Sequence, residues 1–216
     1  MLSFLRKMCA WICFALLLAW FPNYVQAESS QCDSGCAGFG IGQNDVDHFF
    51  SKCSWDVGFG VGGGVGLAPG ASLRHDFVLG SVHLGRVLSD TCCSGHWYEG
   101  NWEVYTELFG GYQVNHDGAS LFGIIPFARY NFMTHTQWVP FVEAGAGIDY
   151  TDIGLPDLGS EFNFTLQAGI GVHRFLCRNL ALTLESRFMH ISNGGTASPN
   201  RAVDTPVLLV GLCWFL

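Results

Sequence analysis

Charged side chains are scarce in this chain: Asp, Glu, Lys and Arg make up 13% of its 216 residues, against about 25% in ordinary soluble domains. Positive charge is scarcer still. The formal net charge of -8 lacks the basic surface that phosphate backbones require, which argues against nucleic acid as a partner. Beyond residue 27 the chain also lacks any apolar run long enough to cross a bilayer as a helix. It is nevertheless 49% hydrophobic and 14% aromatic, with 28 glycines. That is too apolar for a typical secreted globule.

The first 27 residues account for the export. Arg6 and Lys7 precede an apolar stretch from Met8 to Trp20, and Val25-Gln26-Ala27 supplies the small residues of a cleavage site. This pattern predicts a secretory signal peptide over 1–27. A retained membrane anchor is the weaker alternative, because the stretch falls short of the ~20 apolar residues of a spanning helix. A membrane β-barrel reconciles export with apolar strands and no spanning helix. Cys9 and Cys13 leave with the signal, and Cys32, Cys36, Cys53, Cys92, Cys93, Cys177 and Cys213 meet an oxidising compartment. Disulfides with one thiol left over are expected. Cys32, Cys36 and His48 suggest zinc only weakly, since no second ligand pair has finger-like spacing. The reading therefore includes no metal and no cofactor.

From Trp55 onward the chain breaks into eight β-rich segments, about 55–68, 74–88, 101–114, 120–132, 137–150, 160–174, 178–192 and 204–216, separated by turn residues. Period-two alternation marks strands with two different faces. Phe162, Phe164, Leu166, Ala168, Ile170 and Val172 share one phase, opposed by Asn163, Thr165, Gln167 and His173; Trp102, Val104 and Leu108 oppose Glu103, Glu107 and Gln113. Apolar outside and polar inside predicts an all-β fold, an eight-stranded antiparallel transmembrane β-barrel over 55–216. A soluble ligand-binding barrel would invert the faces, and alternation alone fits both. The low charge and the aromatics near strand ends, Trp102, Tyr112, Tyr130, Trp138, Tyr150 and Trp214, favour lipid outside. Inward Glu103, Glu107, Arg129, Glu143, Glu185 and Arg187 then neutralise one another in a packed lumen, a better reading than a catalytic Glu143 or Glu185. So narrow a barrel hardly leaves room for a channel. Residues 28–54 read as a periplasmic lead-in. Val61-Gly62-Gly63-Gly64 lies inside a strand pattern and is not a phosphate loop.

One stretch does not fit a plain lipid-facing strand. Along 180–192, His190 and Ser192 continue the outward phase of Leu180, Leu182, Leu184, Ser186 and Phe188. Two polar side chains at a strand end can be simple headgroup-level residues. They can also be a general base and a nucleophile, since residues two apart share a face about 6.5–7 Å apart at the backbone, and serine needs a base to take its proton. Asp204 opens the returning strand and supplies a candidate acid to orient His190. Asn193, Gly194 and Gly195 supply an amide and open backbone N–H groups for an oxyanion.

The same residues carry a resemblance. His190-x-Ser192-Asn193-x-Gly195, followed by Pro199-Asn200 and an acid at 204, resembles the active-site segment of the outer-membrane lipid A 3-O-deacylases, the PagL family. Pro140-Phe141-Val142-Glu143-Ala144-Gly145-Ala146-Gly147 and Leu158-Gly159-Ser160-Glu161-Phe162-Asn163-Phe164 resemble the strands before it, so the likeness covers about 120–216. It implies an outer-membrane serine esterase with its triad on the lipid-facing wall near the outer leaflet. Ser192 is then the nucleophile, His190 the base, Asp204 the acid, and Asn193, Gly194 and Gly195 the oxyanion site. The implied substrate is lipid A, the lipid anchor of lipopolysaccharide, reached among outer-membrane lipids. One departure stands: the family's acid is typically glutamate, and Asp204 is one methylene shorter. A catalytically silent barrel of the same fold is the competing reading, and homodimerisation stays open.

Overall fold

The computed structural model describes residues 49–216 apart from 69 and 117; the signal peptide and most of the lead-in expected from the sequence lie outside the described residues. Among the described residues eight strands follow one another: β1 (Trp55–Gly64), β2 (Phe77–Val87), β3 (Gly100–Gln113), β4 (Ser120–Phe132), β5 (Trp138–Thr151), β6 (Phe162–Cys177), β7 (Leu180–Ser192) and β8 (Val203–Phe215). Each pairs antiparallel with the next, and β1 pairs with β8 to close the barrel. Closure leaves no edge strand with unpaired backbone groups.

Alternation decides which way each strand faces. Along β7, Ala181, Thr183, Glu185, Arg187, Met189 and Ile191 are buried in the lumen, while Leu184, Ser186 and Phe188 are exposed outside. Phe162, Phe164, Leu166 and Ile170 stand out from β6 in the same way. The exterior is apolar and the charges are inside, the reverse of a soluble barrel. Trp55, Trp102 and Trp138 ring one end of the wall and Tyr112, Tyr150 and Phe162 the other, all exposed. Such girdles suit the two membrane–water interfaces.

The lumen is filled in three layers. Phe50, Val87, Val139, Phe175 and Phe215 pack together at one end, and Phe77, Leu121, Ile125, Leu158, Ile191 and Val203 belong to the cluster at the other. Between them, Arg129 lies 3.1 Å from Glu103 and 2.9 Å from Glu143, and Arg187 lies 2.7 Å from Glu107 and 2.8 Å from Glu143. The guanidinium planes also lie over rings, Arg129 over Tyr105 and Phe141 and Arg187 over Phe127, where cation–π attraction adds to the pairing. Glu143 and Glu185 are thus parts of the packed interior.

The cysteine expectation needs correction. Among the described residues Cys53, Cys92, Cys93 and Cys213 are free thiols, and Cys177 is disulfide-bonded. More than one thiol is left over, because Cys213 faces the lumen from β8, where its sulfur hydrogen-bonds to Asp56 instead of meeting another cysteine.

Candidate active site

His190 and Asp204 are direct cross-strand partners in the β7–β8 ladder. The hairpin register therefore sets the Asp204 carboxylate opposite the His190 imidazole, with Asp204 Oδ1 2.7 Å from His190 Nδ1. Directly opposed residues have Cβ atoms only ~4.5–5.5 Å apart, a gap that the short aspartate arm spans without an extra methylene. Asp204 is held on its other side as well, since its carbonyl accepts the Leu67 N–H at 2.8 Å. Its side chain is 18% exposed and that of His190 34%, so the pair is sheltered yet reachable from outside. With Nδ1 turned to the carboxylate, Nε2 makes no hydrogen bond among the described residues and is left open.

Ser192 lies two residues beyond His190 on the same face, opposite Phe164 of β6, while His190 lies opposite Leu166. Its hydroxyl makes no hydrogen bond among the described residues. The distance between neighbouring same-face positions on a strand, ~6.5–7 Å at the backbone, leaves the two side chains adjacent but not joined. Exposed Phe164, Leu166, Phe188 and Leu208 surround them with apolar wall.

The loop after Ser192 is built differently from the sequence expectation. Asn193 is fully buried. Its Nδ2 donates to the carbonyls of Ala197 and Pro199, both at 3.1 Å, and its Oδ1 accepts the Gly195 N–H at 2.9 Å. The Asn193 amide therefore shapes the turn from within and does not face the surface, and Gly195 N–H is already engaged. Asn200 completes the lock by accepting the Asn193 N–H at 2.9 Å. Gly194 and Gly195 have φ of +63° and +82°, a region glycine enters at little cost. Of the three candidate oxyanion donors, the Gly194 N–H is the one with no hydrogen bond among the described residues.

Neighbouring loops brace this turn through Asp157, a residue the sequence reading did not single out. Its carbonyl accepts the Arg201 N–H at 2.8 Å; its carboxylate accepts the Ser72 and Leu73 N–H groups at 2.5 and 3.1 Å and meets His75 Nε2 at 2.9 Å. Burial pushes the Asp157 carboxyl up, but the hydrogen bonds from Ser72, His75 and Leu73 outweigh it and hold the group below its ordinary 3.8. A depressed carboxylate contributes stability that is present above the unfolded value and lost as pH falls through the folded one. The Ser72 and Leu73 amides should therefore be protected from exchange, relative to their intrinsic rates, at neutral pH and lose that protection only below about pH 4. Asp157→Asn should show the reduced protection already at pH 7; unchanged protection in that variant would remove Asp157 as the brace.

The fold and the apolar wall around this site define an outer-membrane β-barrel. Within that class the chain belongs to the lipid A 3-O-deacylase (PagL) family, whose model matches residues 89–212, beginning one strand earlier than the motifs alone indicated. Two solved structures share the architecture. The outer membrane enzyme PagL aligns at 22% identity and a TM-score of 0.53, over 72% of this chain and 97% of that one. Neisserial surface protein A (NspA) aligns at 16% identity and a TM-score of 0.59, over 74% of this chain and 96% of that one. At these identities the likeness is one of fold. No curated protein sequence matches the chain significantly.

Proposed function

We propose that this protein is a serine esterase that removes the 3-O-linked acyl chain of lipid A, with Ser192 as nucleophile, His190 as general base and Asp204 as the acid that orients it. The observation that carries the reading is the 2.7 Å contact between His190 Nδ1 and Asp204, placed on an apolar outer wall in a member of the deacylase family. A contact to Nδ1 fixes the tautomer in which Nε2 can accept a proton and stabilises the imidazolium that results. Ser192 Oγ attacks the ester carbonyl as His190 takes its proton. The Gly194 N–H is the candidate donor to the oxyanion, and the sugar hydroxyl leaves with the proton from His190. Water then hydrolyses the acyl-enzyme. Catalytic hydrogen bonds often tighten only when substrate is bound, which accommodates the separation of Ser192 from His190.

The proposed topology follows the sequence reading. Residues 1–27 direct export, 28–54 form a periplasmic lead-in, and β7 then runs outward, so the site faces the outer leaflet. There the scissile ester lies between sugar and acyl chain, and an enzyme waiting on the barrel wall need not extract its substrate. All three proposed catalytic residues come from one chain, so a second copy is not needed to complete the site.

A silent structural barrel would account for the fold but gives the His190–Asp204 contact no task. Purified protein in detergent, incubated with lipopolysaccharide, is expected to release one hydroxyacyl chain, read as the matching mass loss in lipid A. A folded barrel that leaves lipid A unchanged in mass would return the silent reading to first place.

A further inference from the structure

We propose that Asp56, His83 and Cys213 form a lumenal binding site for one zinc-class divalent cation at the seam where the first and last strands meet. Asp56 lies on β1, His83 on β2 and Cys213 on β8, and Gly58 of β1 is the cross-strand partner of both His83 and Cys213. Their ligand atoms form a tight triangle. His83 Nε2 is 3.0 Å from Asp56 Oδ2, Cys213 Sγ is 3.5 Å from the same oxygen, and sulfur and nitrogen are 3.9 Å apart. Ligands at ~2.0–2.3 Å from a tetrahedral zinc ion stand roughly 3.3–3.6 Å from one another, so the triangle closes on the ion with shifts of a few tenths of an ångström.

Three further observations point to an ion. Asp56 is 1% exposed, yet its Oδ1 has no hydrogen-bond partner, whereas its Oδ2 meets both His83 and Cys213. A buried carboxylate whose second oxygen has no partner is costly, and a cation bound at the neighbouring Oδ2 would offset its charge. The space is also cleared by glycine: a Cβ on Gly85 would stand 2.0 Å from Asp56 Oδ1, and one on Gly58 would stand 2.1 Å from the His83 ring. Finally, the charge balances. An aspartate and a thiolate with a neutral imidazole offset a divalent ion fully, and the Cys213 thiol gives up its proton as the metal–sulfur bond forms. His83 also borders a small cavity with Ser81, Glu107 and Glu185, and a water would complete the set as the fourth ligand.

A thiolate and an imidazole favour zinc over magnesium or calcium. Binding would clip β1, β2 and β8 together, and so stabilise barrel closure independently of any reaction at the outer wall. The test uses the full chain refolded in detergent, with Cys53, Cys92 and Cys93 replaced by serine, and cobalt(II) as the spectroscopic probe. One equivalent is expected to give a thiolate-to-cobalt charge-transfer band that zinc, but not magnesium, abolishes. Cys213→Ser should lose the band, and His83→Gln and Asp56→Asn should each weaken binding at least tenfold, with folding read from heat-modifiable gel migration. No saturable band in the folded protein, or an undiminished band in the folded variants, would overturn the site. If Cys213→Ser does not fold, the other two variants decide.

Discussion

Ser192→Ala and His190→Ala are each expected to abolish deacylation of lipid A, lowering the rate by about 10⁴-fold or more, while the barrel keeps its heat-modifiable migration. The magnitude follows from how such groups act. Without a base the serine hydroxyl is a poor nucleophile, and without the nucleophile no acyl-enzyme forms, so either loss removes most of what the set contributes together. Asp204→Asn should also cost on the order of 10⁴, because an amide can hold the imidazole in the wrong tautomer. Asp204→Glu should retain more activity than Asp204→Asn, since it keeps the charge although the longer arm must bend to fit a directly opposed histidine. Wild-type turnover by Ser192→Ala, measured as hydroxyacyl release, would end the esterase mechanism.

Glu143→Ala should destabilise the barrel by about 3–5 kcal/mol, the usual cost of stripping one partner from a buried ion pair. Glu143 is the shared carboxylate of the lumen. Its Oε2 accepts from Arg129 Nε at 3.0 Å and from the Tyr105 hydroxyl at 2.7 Å, and its Oε1 accepts from Arg187 Nε at 2.8 Å. Removing it weakens the neutralisation of two buried guanidinium groups at once. Glu103, Glu107 and Glu185 remain beside them, which keeps the loss below that of two independent pairs. The readout is the midpoint of denaturant unfolding in detergent. An unchanged midpoint would mean that the remaining glutamates can carry the layer alone.

Much of the barrel was legible because each wall position has only two choices, lipid or lumen, and the residues declare which. All eight strands fall where alternation placed them, and the differences lie at loop-side ends. Alternation extends β2 back over 74–76, whereas the strand begins at Phe77, because Arg74 pairs with Asp76 and the Asp76 carboxylate accepts the Gly66 N–H instead. Beyond Gly64 the chain continues only as an isolated bridge from Leu67 to Asp204. At the site, the common face of His190 and Ser192 followed from periodicity, but the pairing of His190 with Asp204 depends on how many residues the turn consumes. The orientation of Asn193 was hidden for the same reason: its partners Ala197, Pro199 and Asn200 lie within the turn itself. The Asp56, His83 and Cys213 cluster had no signature at all, since barrel closure alone unites its strands.

The three-layer filling of the lumen has a kinetic consequence for the proposed esterase, whose candidate site lies on the wall. With side chains packed through the middle of the barrel, substrate and product have no axial route and must arrive and depart sideways, within the plane of the lipid. Encounter then becomes a two-dimensional search, and turnover should follow the mole fraction of lipid A in a mixed micelle or bilayer rather than its concentration in the surrounding water.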